Sequence, residues 1–256
     1  MTTVASQSPR LPTPDASAVK LLASNIVMKF GGVVALDGVD FWVPEGAAVG
    51  LLGQNGSGKT TLLNVITGQL IPQQGDVILD GKSMIGCAPN EFASAGIARV
   101  FQSVQVFPRL SILENLLVSQ IASGDIGALS VDAAMAILKR VRLDRNPDDF
   151  ARDISYGHQR LLEIAMALAA GAKIILLDEP TAGLAPALVE TVIECLRDLK
   201  STGTSMVLIE HETEVVFRLC EIVWVLNEGR VIASGTPDEI RSDRMVLDLY
   251  LGAPQA

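Results

Sequence analysis

Three features that would mark a disulfide scaffold, a metal centre or a membrane span are scarce or missing. The 256 residues include three cysteines, Cys87, Cys195 and Cys220, which lie far apart and match no metal-ligand spacing. We expect them to be buried thiols in a reducing compartment. The mean hydropathy of +0.37 is high, but the longest apolar runs have about half of the ~20 residues that a spanning helix needs. A buried parallel sheet explains this apolar excess, and so does a surface that meets a partner.

A basic excess is also missing. The chain has 29 acidic residues against 20 lysines and arginines, and its formal net charge is −9. Proteins that bind nucleic acids usually present a basic stripe to the phosphates. We therefore expect no nucleic acid among the partners of this protein.

The N-terminal residues lack the apolar core of a signal peptide. Residues 1–20 are instead rich in Ser, Thr and Pro, a composition typical of flexible tails. We expect a flexible tail over residues 1–20 and a single domain over residues 21–256.

The order of predicted strands and helices indicates an α/β fold. Residues 21–53 contain short β-type segments separated by glycine, which is typical of hairpins. Residues 89–155 are mostly helical in pattern. Later strands such as KIILLDEP are almost continuously apolar and alternate with helices, which indicates a parallel sheet covered on both faces. The sequence therefore predicts an α/β core with a helical insertion at about residues 89–155.

One stretch matches a phosphate-binding pattern. GQNGSGKTT fits G-x-x-x-x-G-K-[ST], follows an apolar strand and opens a predicted helix. Glycines let backbone N–H groups turn towards phosphate oxygens, and the helix N-terminus faces the same anion. We expect Lys59 to reach the β- and γ-phosphates and the Thr60 hydroxyl to bind Mg²⁺. The expected phosphate-binding residues are Gly53, Gln54, Asn55, Gly56, Ser57, Gly58, Lys59, Thr60 and Thr61.

Two acids end the buried strand IILLDEP. Ligands of parallel α/β sheets bind at the carboxyl ends of the strands, so we expect Asp178 and Glu179 to lie beside the phosphate loop. Asp178 is the expected partner of Mg²⁺. Glu179 is the expected general base for the attack of water on the γ-phosphate. Without the phosphate loop, the same pair would indicate only a solvated strand end.

The stretch ISYGHQR, from residue 154, opens another predicted helix. Ser155 and His158 are near enough in sequence to be a nucleophile and its base, but no third group nearby would orient the histidine. The residues alone leave the function of this cluster open.

Together these motifs resemble the ATP-binding subunits of ABC transporters over about residues 21–252. The resemblance implies a P-loop NTPase (RecA-like) core with an antiparallel β subdomain and an inserted α-helical subdomain. It also implies functions for three further residues. Phe30, 23 residues before Gly53, would stack on adenine, Gln102 would touch Mg²⁺ and the attacking water, and His211 would contact the γ-phosphate. Each also has an ordinary interpretation: Phe30 as a core aromatic, Gln102 as a solvated loop residue and His211 as a histidine at a strand end.

The resemblance extends to the cluster at Ser155. ISYGHQ is similar to the family signature LSGGQ, which closes on the ATP bound to the phosphate loop of a second subunit. The implied ATP-binding residues across such a dimer are Ser155, Tyr156, Gly157 and His158, with the Ser155 hydroxyl and the Gly157 N–H facing the γ-phosphate. Tyr156 and His158 replace a glycine and a glutamine of the signature, and Ala185 stands where many members carry an aspartate. These departures affect the details of dimer closure.

Further runs, among them KFGGVVAL, DEPTAGLAP, LIEH and SGTPDEI, are similar to the ATPases of branched-chain amino acid importers, with urea and amide importers as close relatives. This resemblance implies ATP and Mg²⁺ as bound cofactors. Its implied partners are membrane permease subunits, a second ATP-binding subunit and, indirectly, a solute-binding protein. The implied location is peripheral, on the cytoplasmic face of the cell membrane.

Three alternatives remain. An exporter ATPase of the lipopolysaccharide-transport type shares the SGTP and YLG endings. An ABC ATPase that acts on ribosomes or DNA is disfavoured, because this chain has one cassette, no heptad run and a negative net charge. A nucleotide-binding module without hydrolysis is disfavoured by the presence of both Glu179 and His211.

Overall fold

The computed structural model describes residue 11 and residues 19–120, 129–210 and 213–251. The strands are β1 (Val19–Phe30), β2 (Val33–Pro44), β3 (Ala48–Gly53), β4 (Gln74–Leu79), β5 (Lys82–Ser83), β6 (Ile97–Val100), β7 (Ile174–Asp178), β8 (Ser205–Ile209), β9 (Ile222–Asn227) and β10 (Arg230–Gly235). The helices are α1 (Lys59–Ile66), α2 (Pro89–Ser94), α3 (Ile112–Ser119), α4 (Val131–Arg140), α5 (Tyr156–Ala169), α6 (Pro186–Ser201), α7 (Thr213–Leu219), α8 (Pro237–Ser242) and α9 (Arg244–Leu251). In this described part, every helix is too short or too polar to cross a bilayer.

The larger sheet is the predicted parallel core. Within the described residues it has six strands in the order β10-β9-β3-β8-β7-β6. All neighbouring pairs are parallel except β9 and β10, which form an antiparallel hairpin at one edge. Parallel strands place their carboxyl ends at the same edge of a sheet. The loops that follow β3 and β7 therefore leave the sheet at the same edge and flank the end of β8, which lies between them.

The two faces of this sheet are buried in two separate cores. Ile174 and Leu176 of β7 pack into one core, whereas Ile175 and Leu177 pack into the other. All four side chains are fully buried, and the alternation follows from the two-residue period of a strand. This arrangement confirms the prediction of a sheet covered on both faces.

The smaller sheet is the predicted antiparallel region. Its strands lie in the order β2-β1-β4-β5 among the described residues, and every neighbouring pair is antiparallel. The long β1–β2 hairpin turns at residues 31–32, so Phe30 and Val33 form the last pair of the ladder. β1 begins at Val19, two residues before the predicted domain boundary.

The helical insertion is shorter than predicted. β6 lies inside the range 89–155, yet it pairs in parallel with β7 and belongs to the core sheet. This strand has four residues and follows the short helix α2, so its pattern does not stand out from its helical surroundings. The helices α3 and α4 follow β6. They pack on α5 through buried side chains that include Leu116, Leu138 and Leu161.

Candidate functional site

The phosphate loop runs from the end of β3 into α1. Its last residue before the helix, Gly58, has a φ of 109°, a conformation that residues with a side chain rarely adopt. A Cβ at this position would lie 2.7 Å from the carbonyl oxygen of Ala35. Glycine is therefore required here for the loop to pass closely over β2 before the helix begins.

The start of α1 leaves its backbone donors available. This helix has no side-chain cap and no acid in its first turn, whereas α3 is capped by the Ser111 hydroxyl, which accepts from the Glu114 N–H at 3.1 Å. The first N–H groups of a helix have no partner within the helix, so those of α1 can bind an anion. The hydroxyl of Ser57 is buried and also lacks a hydrogen-bond partner among the described residues.

The Lys59 ammonium lies folded over the loop. Its Nζ donates to the carbonyl oxygens of Gly53, at 2.7 Å, and Gln54, at 2.9 Å. Burial lowers the pKa of Lys59, and the nearby carboxylates of Glu179 and Asp178 oppose this shift. Both present partners of Nζ are neutral, and a phosphate would offer a stronger, charge-assisted bond to the same donor.

A cavity of about 420 Å³ joins the loop to the strand ends. Its lining residues are Val33, Val34, Ala35, Asn55, Gly56, Ser57, Gly58, Lys59, Thr60, Thr61, Asp178, Glu179, Ile209 and Glu228. Residues 55–61 of the predicted loop and both predicted acids thus share one cavity. Gly53 ends β3 just below it, and the Gln54 side chain points elsewhere, donating to the Leu249 carbonyl at 2.8 Å.

Glu179 is held in an unusual backbone conformation. Its φ is 50°, which costs a residue other than glycine about 1–2 kcal/mol and occurs preferentially at functional sites. Its N–H donates to the Ile209 carbonyl at 2.8 Å. Its Oε2 accepts a 2.7 Å hydrogen bond from Nε2 of Gln102. Two predicted site residues that are 77 positions apart in sequence are therefore in direct contact.

The donor set of the cavity fits Mg²⁺. This ion prefers oxygen ligands and is usually bound by one or two carboxylates together with substrate phosphates and water. Thr60, with its hydroxyl, and Asp178, with its carboxylate, both line the cavity. The remaining ligands would come from phosphate oxygens and water.

The Ser155 cluster lies at the N-terminus of α5, outside this cavity. Ser155 is the N-cap residue, and its Oγ accepts weakly from the His158 N–H at 3.4 Å. The same Oγ lies 2.6 Å from Nδ1 of His158. Gly157 is buried against Leu188, where an added Cβ would come within 2.5 Å of Cδ1. The turn therefore presents a hydroxyl, an imidazole and the free N–H groups of a helix start on one surface.

Side chains of α5 also form hydrogen bonds with the backbone of the segment that carries Gln102. The Tyr156 hydroxyl donates to the Gln102 carbonyl at 3.2 Å, and Nη2 of Arg160 donates to that carbonyl at 2.5 Å. Nη1 of Arg160 donates to the Phe101 carbonyl and, at 2.7 Å, to Glu163. Glu163 in turn accepts from the Phe101 N–H at 3.3 Å. Burial raises the pKa of Glu163, and the Arg160 charge opposes that rise.

Comparison with known proteins identifies the family of this chain. Residues 36–182 match the family model described as ABC transporter. Residues 230–256 match the model described as branched-chain amino acid ATP-binding cassette transporter. The chain belongs to the ABC transporter family. It is 35% identical over 249 residues to the high-affinity branched-chain amino acid transport ATP-binding protein LivG of Salmonella typhimurium, which covers 91% of this chain and 98% of the relative. It is 34% identical over 248 residues to BraF of Pseudomonas aeruginosa, with 91% and 97% covered.

Solved structures of this family have the same fold. A crystal structure of the ADP conformation of an ATP-binding cassette of an ABC transporter superimposes with a TM-score of 0.83, at 34% identity over 92% of this chain and 99% of that chain. A dimeric post-hydrolysis state of another ATP-binding cassette, bound to ADP and Pi, gives 0.73 at 29% identity, over 85% and 98%. The predicted α/β fold and the predicted family are thereby confirmed.

One residue predicted from the ABC transporter resemblance lies apart from this geometry. Phe30 is at the exposed end of β1 and is not among the residues that line the cavity. His211 lies outside the described residues. Its neighbour Glu210 is buried and accepts from the Thr181 N–H, at 2.9 Å, and from the Thr181 hydroxyl, at 2.6 Å, which fixes the chain that follows Glu179.

Sequence reasoning missed three charged residues that contact the predicted site residues of this ABC transporter family member or their backbone: Arg99, Arg160 and Glu163. Arg99 of β6 donates to Asp178 Oδ2 at 2.8 Å and to Asn64 Oδ1 at 2.7 Å. Arg160 and Glu163 of α5 bind the backbone beside Gln102. Arg99 and Glu163 are each a single charged residue inside an apolar stretch, IARV and LLEIA respectively, and Arg160 directly precedes LLEIA. A buried charge needs a partner, and that requirement is the only signal the sequence offers for them.

Proposed function

We propose that this chain is the ATP-hydrolysing subunit of an ABC importer for branched-chain or related amino acids. The observation that carries this proposal is the convergence of Lys59, Asp178 and Glu179 on one cavity, with Gln102 bonded to Glu179. The loop supplies donors for phosphates, and the strand end supplies carboxylates for a metal ion and a water. This combination is the one that phosphoryl transfer to water requires.

In the proposed complex, ATP lies along the phosphate loop with its adenine against Phe30. The N–H groups at the start of α1 and the unpaired Ser57 hydroxyl bind phosphate oxygens. Lys59 exchanges its carbonyl partners for the β- and γ-phosphates. Because these donors are already in place, they stabilise the charge of the transition state at little cost in reorganisation.

Hydrolysis uses Glu179 as the general base. When bound by Thr60, Asp178 and Gln102, Mg²⁺ supplies positive charge that neutralises the phosphate oxygens. Glu179 takes a proton from water, whose oxygen then bonds to the γ-phosphorus as the bond to the β–γ bridging oxygen breaks. The Gln102 amide orients the Glu179 carboxylate, and His211 contacts the γ-phosphate. Preorganisation of this kind supports Glu179 as the catalytic residue.

The site is completed by a second ATP-binding subunit. Ser155 and Tyr156 are exposed outside the cavity of their own chain, next to His158 and the buried Gly157, and the N-terminus of α5 suits an anion. We infer that this surface closes on the γ-phosphate bound to the partner subunit. The γ-phosphate then bonds to both subunits, and its loss on hydrolysis lets them separate.

The permease is proposed to dock beside the Gln102 segment. A groove of about 250 Å³ lies there and is mostly apolar. Its lining residues are Thr67, Gln69, Pro89, Phe92, Ala93, Ile97, Ala98, Arg99, Phe101, Ala170 and Ala172. A short permease helix in this groove would tie the subunit to the cytoplasmic face of the membrane. A solute-binding protein would deliver the amino acid to the permease from the other side.

Isolation of the tagged chain from its native membranes tests the transport assignment. The expected co-purifying proteins are multispan permeases, a second ATP-binding subunit and a solute-binding protein for amino acids. Ala93→Asp, which places a charge in the groove, should lose the permeases, whereas Ser94→Asp on the exposed side of α2 should retain them. Ribosomes, DNA or an exporter permease in place of these proteins would overturn the importer and leave the nucleotide site standing.

A further inference from the structure

One arginine links the cavity and the groove. Arg99 lies on β6, its side chain is 9% exposed, and its guanidinium makes a fork. Nη2 donates to Oδ2 of Asp178 at 2.8 Å, and Nη1 donates to Oδ1 of Asn64, on α1, at 2.7 Å. Three elements, β6, β7 and α1, are therefore joined through a single side chain.

Arg99 also lines the apolar groove proposed for the permease. Its guanidinium carbon lies 4.8 Å from the centre of the Phe101 ring, and both residues line the groove. Its Nε is buried without a hydrogen-bond partner among the described residues. The guanidinium thus contacts the metal-binding carboxylate on one side and the groove wall on the other.

We propose that Arg99 is a positioning residue of the metal site, which orients the Asp178 carboxylate from within the sheet and connects it to the groove. The inference rests on the function proposed above. It adds a residue that does not itself touch nucleotide or metal.

The fork explains why orientation matters here. One oxygen of Asp178 is occupied by Arg99, which fixes the carboxylate rotamer and directs the other oxygen to a different partner. Without Arg99, the carboxylate is free to turn towards the Lys59 ammonium, which lines the same cavity. An ion pair between Lys59 and Asp178 would compete with both the metal ion and the phosphates. Partners that orient a metal ligand in this way typically contribute about 10–100-fold in metal affinity.

The charge of Arg99 acts in the opposite direction, because it repels a divalent cation. The negative charge of Asp178, whose Oδ2 lies 2.8 Å from Nη2 of Arg99, offsets this repulsion. Fixing the carboxylate should therefore outweigh the repulsion. A variant that keeps the positive charge tests the orientation of Asp178 separately from this repulsion.

The test measures Mg²⁺ rather than turnover. ADP is titrated calorimetrically into the purified full-length chain at graded Mg²⁺, starting from none with a chelator present. Arg99→Lys keeps the charge but cannot span Asn64 and Asp178 with one ammonium. For this variant we expect unchanged ADP affinity without metal. We also expect an increase of about ten-fold in the Mg²⁺ concentration that gives half of the metal-dependent gain in ADP affinity. Asn64→Ala, which removes one arm of the fork, should give a smaller rise.

Two further variants complete the test. Phe101→Ala removes the ring beneath the guanidinium without touching the cavity, and we expect a rise of about two- to five-fold, the size of one cation–π contact. Arg142→Lys is the matched control, because Arg142 also bonds two acids, Glu194 and Asp198, but on an exposed surface. The Mg²⁺ dependence of its ADP binding should equal that of the wild type.

The outcomes separate the inference from the function on which it rests. An unchanged Mg²⁺ titration in Arg99→Lys and Asn64→Ala overturns the positioning of Asp178. A lower Mg²⁺ requirement overturns it too, because the fork would then hold the Asp178 carboxylate away from the ion. A wild-type chain that binds no ADP at any Mg²⁺ concentration overturns the proposed function instead.

Discussion

Gln102 and Glu179 are joined by a 2.7 Å hydrogen bond from the carboxamide nitrogen to the carboxylate. Gln102 is in turn fixed through its own carbonyl, which accepts from Tyr156 and Arg160 of α5. The proposed general base is therefore tied to the helix that opens with the Ser155 cluster. A shift of α5 on closure against a second subunit would reach Glu179 through a single side chain.

Replacing the base should separate hydrolysis from binding. Glu179→Gln keeps the shape of the side chain and removes its ability to accept a proton, so we expect phosphate release to fall about 10²–10⁴-fold with ATP affinity retained. The same substitution at the exposed Glu190, which pairs with Arg218, should leave both unchanged. Hydrolysis of Glu179→Gln at the wild-type rate would remove Glu179 from the mechanism.

The loop geometry predicts a contrast between two glycines. Gly58→Ala meets both an unfavourable φ and the Ala35 carbonyl at 2.7 Å, whereas Gly171, with a φ of 81°, has nothing within 4 Å of an added Cβ. Gly171→Ala should cost about 1–2 kcal/mol of unfolding free energy, from backbone strain alone. Gly58→Ala should cost more and also weaken nucleotide binding. Chemical denaturation and nucleotide titration measure the two effects, and equal losses for both variants would refute the close approach of loop and β2.

The buried ion pair of α5 should contribute strongly to stability. Arg160 is fully buried and its partner Glu163 nearly so, and breaking such a pair by removing one member typically costs about 3–5 kcal/mol. Arg160→Met should therefore lower the unfolding free energy by this amount and also mobilise the Gln102 segment. Hydrogen exchange at residues 101–105 measures the second effect. Retained protection there would show that the segment does not depend on Arg160.

Titration of His158 should make stability depend on pH. Burial, and then the positive charge of Arg145, lower the pKa of His158. The unfolded chain therefore binds more protons between the lowered folded pKa and about 6.5, so this contribution is fully present above that value and is lost as the pH falls through the window. The wild-type melting temperature should drop more between pH 7.5 and 5.5 than that of His158→Gln. An equal drop in melting temperature for the two proteins would contradict the lowered pKa of His158.

The phosphate loop and the Asp178–Glu179 pair were predictable because their chemistry is local. A glycine pattern between a strand and a helix, and two acids at the end of an apolar strand, leave few other interpretations. The sheet follows from the same strands, since apolar residues on both faces require two covering layers. The match of residues 36–182 to the ABC transporter model confirms the family that these motifs resemble.

The supporting residues were not predictable in the same way. Arg99 is one charge in the short strand IARV, and its partners Asn64 and Asp178 are 35 and 79 residues away. The sequence pattern places this strand within the helical insertion, because four residues between helical patterns give no period of their own. Likewise, nothing in ISYGHQR shows that Tyr156 bonds the carbonyl of Gln102. These contacts depend on how β6, β7 and α5 come together.

Uptake of labelled leucine into proteoliposomes made from the purified complex tests the central claim most directly, with ATP supplied on the side of this chain. The account predicts uptake that needs both ATP and Mg²⁺, that scales with phosphate release and that is abolished by Glu179→Gln. Hydrolysis of ATP by the complex without any accumulation of branched-chain or related amino acids would contradict the importer. Uptake by Glu179→Gln at the wild-type rate would contradict the proposed chemistry.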